Sequence, residues 1–210
     1  MPDNELEESF AALLIGDVIA ASQRREKDDS QANRRDLVRA IFAAIEGLIW
    51  LTREHILQSD DTLEEMSPLA RMALREASYQ VDSKGQLTEQ TRYIALTAMV
   101  RLVVEQTKSF APDLEIDYSG SGWSDFKNAI AIRNRATHPK STTNLRITDF
   151  DLKTMNDGFA WILGTCETVM GCANTALKSY ARDLRLLHEK LRDGDPEALA
   201  LYQLLNDQRE

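Results

Sequence analysis

Long apolar runs are missing from this chain. Nowhere does a stretch of about 18 apolar residues occur, so no membrane span is expected. Glycine and proline are scarce, nine and five in 210 residues, which leaves little material for a turn-rich β fold. Cysteine is scarcer still. Cys166 and Cys172 are the only two, six positions apart on an expected helix. That places them on different faces and too far apart along the rod for an easy disulfide. Reduced thiols suit a cytosolic compartment. No Cys/His cluster at zinc spacing occurs, so neither a metal nor a cofactor is expected. An excess of positive charge is also absent: 25 Lys and Arg stand against 34 Asp and Glu, a net charge of -9. Broad, sequence-independent nucleic-acid binding is therefore disfavoured, although a small basic site is not. The first residues, Met-Pro-Asp-Asn-Glu-Leu-Glu-Glu, lack the basic start and apolar stretch of a secretory signal, and a cytoplasmic chain is expected.

What is present is helical periodicity. Leu6, Phe10, Leu13, Leu14 and Val18 predict a helix over 5–27, ending in the charged run 24–29. Leu37, Ile41, Ala44, Leu48 and Leu51 predict a second, from about Arg34 to Gln58. Ser59-Asp60-Asp61-Thr62 reads as a break and as the cap of a third helix over 63–80. Asp82-Ser83-Lys84-Gly85 reads as a turn, and Thr88 as the cap of a fourth helix over 89–109. Residues 110–122, with Pro112 and Ser119-Gly-Ser-Gly122, form the most loop-like segment. Beyond it Trp123, Phe126, Ile130 and Arg133 share one helical face, and Trp123 at that spacing reads as core. The helix stops at Thr137-His138-Pro139. After a short loop, Thr148-Asp-Phe-Asp caps a long helix to about Arg192, with kinks expected near Gly158, Gly164 or Gly171. Gly194-Asp-Pro-Glu197 stops it and starts a short last helix. The class is all-α, in one domain over 1–210, with residues 1–30 and 193–210 as helical extensions.

One stretch carries chemistry: Ala131-Ile-Arg133-Asn134-Arg135-Ala-Thr-His138-Pro-Lys140. An arginine stabilises negative charge on a phosphate in flight. A histidine moves a proton near neutral pH. Arg133, Arg135, Lys140 and Arg146 concentrate positive charge locally in an acidic protein. The bland alternative makes Arg133 and Arg135 solvated charges at a helix end and His138 a helix C-cap. His55 and His188 lie on charged stretches and read as surface residues.

Arg133-Asn134-Arg-Ala-Thr-His138, at the C-terminal end of an amphipathic helix and followed by proline, resembles the HEPN (higher eukaryotes and prokaryotes nucleotide-binding) family. Many of its members are ribonucleases with an Arg-x(4 to 6)-His motif and a polar residue after the arginine. The resemblance covers about 34–180 and implies a HEPN-like helical bundle with a long C-terminal helix. It implies metal-independent RNA cleavage at a composite site of a homodimer. His138 would transfer a proton, Arg133 would bind the scissile phosphate, and Asn134 would orient these groups. Glu46, on the second helix, would brace Arg133, with a boundary carboxylate beside Arg39, Arg53 or water as the alternative. Arg135 and Lys140 are the substrate-binding candidates. Lys140 stands where one toxin subgroup carries tyrosine, so control by nucleotidylation has no residue here. The family setting, toxin–antitoxin or phage defence, implies an inhibitory protein partner. The rival expectation is a non-catalytic module that binds a nucleotide, RNA or a regulatory protein.

Overall fold

The computed structural model describes residues 9–207. The expected helix start at residue 5 lies outside them. Seven helices and one two-stranded hairpin are present among the described residues. In chain order they are α1 (Phe10–Lys27), α2 (Gln31–Leu63), α3 (Pro68–Leu74), β1 (Ala77–Val81), β2 (Leu87–Thr91), α4 (Leu96–Thr107), α5 (Ser121–Thr137), α6 (Asp149–Arg192) and α7 (Pro196–Asp207), with a single 3-10 turn at Thr142–Leu145. The fold is all-α with a long C-terminal helix. No helix among the described residues is long and apolar enough to cross a membrane.

The bundle is built on α2 and α6. The α6 helix packs along α5 and α2, α4 bridges α2 and α6, and α1 lies along α2. Val38, Ile41, Ile45 and Ile56 of α2, Phe126 of α5, and Met155, Ile162 and Val169 of α6 are buried together. Each such side chain contributes about 1.5–3 kcal/mol of apolar burial. Side-chain caps start the main helices. Ser9, Ser30 and Ser67 each accept from a backbone N–H three residues on, and Pro68 follows its cap at the first helical position. Thr148 and Asp151 form a reciprocal capping box at the start of α6. Cys166 is buried, which pushes its thiol pKa up, and both cysteines are free.

Two expectations are corrected. Ser59-Asp60-Asp61-Thr62 does not break the chain; α2 runs through it to Leu63. The Ser59 hydroxyl donates to the His55 carbonyl within the helix. The fully buried Asp60 carboxylate reaches forward, accepting from the N–H groups of Glu65 and Met66 and from Arg71. It fastens the turn after α2 rather than capping a new helix.

The expected helices over 63–80 and 89–109 are each shorter, because residues 77–91 form an antiparallel hairpin. Its base is closed by Glu76 at φ 54°, whose carbonyl accepts from Arg92 N–H (2.7 Å) and whose carboxylate accepts from Ile94 N–H (2.7 Å). At its tip Asp82 accepts from Lys84 and Gln86 N–H groups, and Gly85 adopts φ 77°.

The α6 helix runs 44 residues without interruption through Gly158, Gly164 and Gly171. Gly158 permits a close approach: a Cβ there would lie 2.9 Å from the Phe126 Cα.

Candidate active site

The motif residues arise at the C-terminal end of α5, where that helix packs between α2 and α6. Ile132 and Ala136 are buried, which turns Arg133 toward α2 along the boundary of the core. Its guanidinium donates from Nη2 to Glu46 Oε1 at 2.8 Å and from Nη1 to Asn134 Oδ1 at 3.1 Å. It also lies over the ring of buried Phe42, with Cζ 4.6 Å from the centroid. Glu46 therefore sits where a brace for Arg133 was expected, rather than against Arg39, Arg53 or water alone. The pair stays reachable from solvent: the Arg133 side chain is 30% exposed and that of Glu46 46%. Glu46 also lines a cleft of about 180 Å³ with Trp50, Arg53, Glu76 and Met99.

His138 is the C-cap of α5, fully outside the core, with its N–H donating to the Asn134 carbonyl at 2.9 Å. Among the described residues its imidazole forms no hydrogen bond or ion pair. Five positions separate it from Arg133, about 7.5 Å along an ideal helix and about 140° around it. One copy of the chain therefore gathers Glu46, Arg133 and Asn134 into a cluster and leaves His138 beside it.

Arg135 is engaged within its own chain. It donates to the carbonyls of Asn144 (3.1 Å) and Arg146 (2.8 Å) and pairs with Asp151 at 2.6 Å. Its guanidinium ties the loop after His138 to the first turn of α6. Burial raises the Asp151 pKa, but the hydrogen bonds from Arg135 and Thr148 outweigh this and hold it below the usual carboxylate range. Lys140 stays exposed, with only its backbone N–H held, by Asn144 Oδ1 at 2.9 Å.

The same loop is anchored from α2 by residues the sequence did not single out. Gln31 exchanges two hydrogen bonds with the backbone of Ile147 (3.0 and 2.8 Å). Arg34 donates to the Ile147 carbonyl at 3.1 Å and Arg35 to the Leu145 carbonyl at 3.2 Å. Arg34 in turn pairs with Asp29 and Asp149. The segment carrying His138 is thus held on a rigid support.

Trp123 belongs to the core, 5% exposed, packed against Phe126, Trp161 and Tyr118, with the Arg101 guanidinium over Tyr118 at 4.4 Å. His55 is half-buried rather than superficial, while His188 is exposed. Among the described residues no group of three or more His, Cys, Asp or Glu side chains is placed to hold a metal ion. No family model matches the chain, and neither a curated protein nor a solved structure matches it.

Proposed function

We propose that this chain is a HEPN-type endoribonuclease that cleaves RNA by attack of a ribose 2′-OH on the adjacent phosphate, without a metal. The observation that carries the reading is the braced Arg133. Glu46, Asn134 and the Phe42 face fix its guanidinium at a solvent-accessible edge, five positions before an exposed histidine. Such preorganised cationic donors are what a phosphorane transition state needs.

The chemistry divides as follows. The 2′-OH is a nucleophile built into the substrate, so the protein supplies positioning, proton transfer and charge stabilisation. The His138 imidazole takes the 2′-OH proton or delivers one to the departing 5′-oxygen. Arg133 binds the non-bridging oxygens as the P–O5′ bond breaks and the 2′-O–P bond forms. The products are a 2′,3′-cyclic phosphate and a 5′-OH end. Asn134 orients the arginine, and Lys140 approaches a flanking phosphate. Two copies contribute to the working site, as the resemblance implies. An inhibitory protein partner and a toxin–antitoxin or phage-defence setting follow from the resemblance alone.

The alternative is a non-catalytic binding module. What favours it is that Glu46 already neutralises Arg133. Product ends decide between them. Incubation with RNA, followed by ligation and phosphatase analysis of the fragments, is expected to reveal cyclic phosphate and 5′-OH termini. Intact RNA bound by the protein would support the module, and 5′-phosphate ends would contradict the 2′-OH mechanism.

A further inference from the structure

One face of α2 serves two places. Phe42, Glu46, Ile49, Trp50 and Arg53 recur along it at helical spacing. Phe42 lies under the Arg133 guanidinium and Glu46 pairs with it. One turn further on, about 6 Å along the helix, the same face borders the cleft of about 180 Å³ that Glu46 also lines. The floor of that cleft is apolar. Ile49 and Met99 are each 4% exposed, and Ile94 and Leu96 are half-buried. Beside it stands an indole. Trp50 is 47% exposed, and a T-shaped contact with Phe10, ring centroids 5.9 Å apart, holds it in place. Trp123, by contrast, is 5% exposed and spent on the core. A large aromatic side chain left half bare at an apolar cleft offers a platform for another flat ring.

The polar groups indicate which part of a ligand enters. The Arg53 guanidinium donates to Glu54 and to Glu76, and the Glu76 carboxylate also accepts from Ile94 N–H. Both side chains are thus engaged within the protein and do not read the edge of a base. With Glu46 and Glu76 against Arg53, the cleft carries a negative balance, which repels a phosphate but not an uncharged ring. The phosphate is left to Arg133 and the ring to the cleft. The single turn of α2 between Glu46 and Trp50 is comparable with the ribose that separates a phosphate from its base.

We propose that this cleft seats the nucleobase adjoining the phosphate on Arg133, with Trp50 as its stacking platform, and that it favours purines. The proposal deepens the nuclease reading and rests on it for the role of Arg133. Purines are favoured because a bicyclic ring offers more surface to the indole. Adenine and guanine are treated alike because no open polar group in the cleft distinguishes their edges. Arg133 and Trp50 belong to the same copy of the chain, so the phosphate and its base are held by one subunit.

The test is calorimetric titration of the full chain with the four nucleoside 3′,5′-bisphosphates, which carry a phosphate on either side of the base, beside sequencing of the ends left in cleaved RNA. The adenosine and guanosine compounds are expected to bind about fivefold or more tightly than those of cytidine and uridine. Trp50→Leu keeps an apolar contact for Phe10 but removes the platform. It is expected to weaken purine binding about tenfold and to cut RNA without the purine preference that the wild type shows beside its cuts. Trp50→Phe is expected to retain most of both. Trp50-dependent purine binding by a protein that leaves RNA intact would uphold the cleft and remove the nuclease reading. Cleavage by the wild type with no base preference, or purine binding unchanged in Trp50→Leu, would overturn the cleft and leave the nuclease reading standing. Binding of no bisphosphate at all overturns the proposal. If Trp50→Leu loses its helical signal, tryptophan fluorescence decides: the adenosine compound is expected to quench the wild type and not Trp50→Phe, and equal quenching overturns the proposal.

Discussion

At the scale of single residues, Arg133 depends on three neighbours for its place: Glu46, Asn134 and the Phe42 ring. If it stabilises a phosphorane, Arg133→Ala lowers the single-turnover cleavage rate about 10²–10³-fold. Arg133→Lys does not restore it, because an ammonium cannot donate to Glu46 and a phosphate with the same planar fork. Glu46→Gln keeps an acceptor but loses the charge. Its expected effect is a smaller loss, about tenfold, in the rate step with little change in RNA binding. Equal rates for Arg133→Ala and wild type would remove Arg133 from the reaction.

Asp151 gives a second residue-scale prediction. Its folded pKa is depressed, so it contributes stability above its unfolded value of about 3.9 and loses it as pH falls through the folded value. Asp151→Asn is expected to lower Tm at pH 7 and to flatten the fall in Tm below about pH 4. Parallel acid limbs for variant and wild type would contradict this. The Arg133–Glu46 partnership was suggested by the family resemblance; the residues themselves left Arg39, Arg53 or water as equal alternatives for Glu46. The roles of Gln31, Arg34 and Arg35 were not legible. Each pairs with a backbone carbonyl more than 100 positions away, and no side-chain pattern marks a carbonyl.

At the scale of elements, the helices with strong apolar periodicity were readable, α1, α2 and α5, as was the Thr148 cap that starts α6. The hairpin was not. Its strands are almost wholly exposed, so they carry no alternation of buried and exposed positions, and Leu87 and Ile94 at a spacing of seven imitate a helix. Gly158→Ala adds helix propensity, but its Cβ would meet the Phe126 backbone at 2.9 Å. A net loss of about 1–3 kcal/mol is expected from overpacking. Gly164 faces open space, and Gly164→Ala should instead stabilise by up to about 1 kcal/mol. Opposite signs of the Tm shift in this pair are the expected result; two stabilised variants would show that α5 and α6 do not approach as described. Asp60→Ala leaves buried N–H groups and Arg71 without their acceptor, and a loss of about 2–3 kcal/mol by urea denaturation is expected.

At the scale of the whole molecule, α6 does two jobs. Its first half completes the core against α2 and α5, and its second half leaves the body as a basic rod partnered by an acidic α7. Composition made the all-α class visible at once, through scarce glycine and proline. The amphipathic pattern of α6 made its length visible too. It did not distinguish the half buried by its own chain from the half left bare, since both carry the same three-and-four spacing. The small cluster at Glu46, Arg133 and Asn134 lies toward the opposite end of α6 from α7. The most direct measurement is cleavage of total RNA and of tRNA by the purified protein in EDTA, beside Arg133→Ala and His138→Ala. The account predicts metal-independent cleavage by the wild type that each substitution abolishes while the helical fold is retained. Cleavage that survives both substitutions, or none by a folded wild type freed of any bound partner, would contradict it.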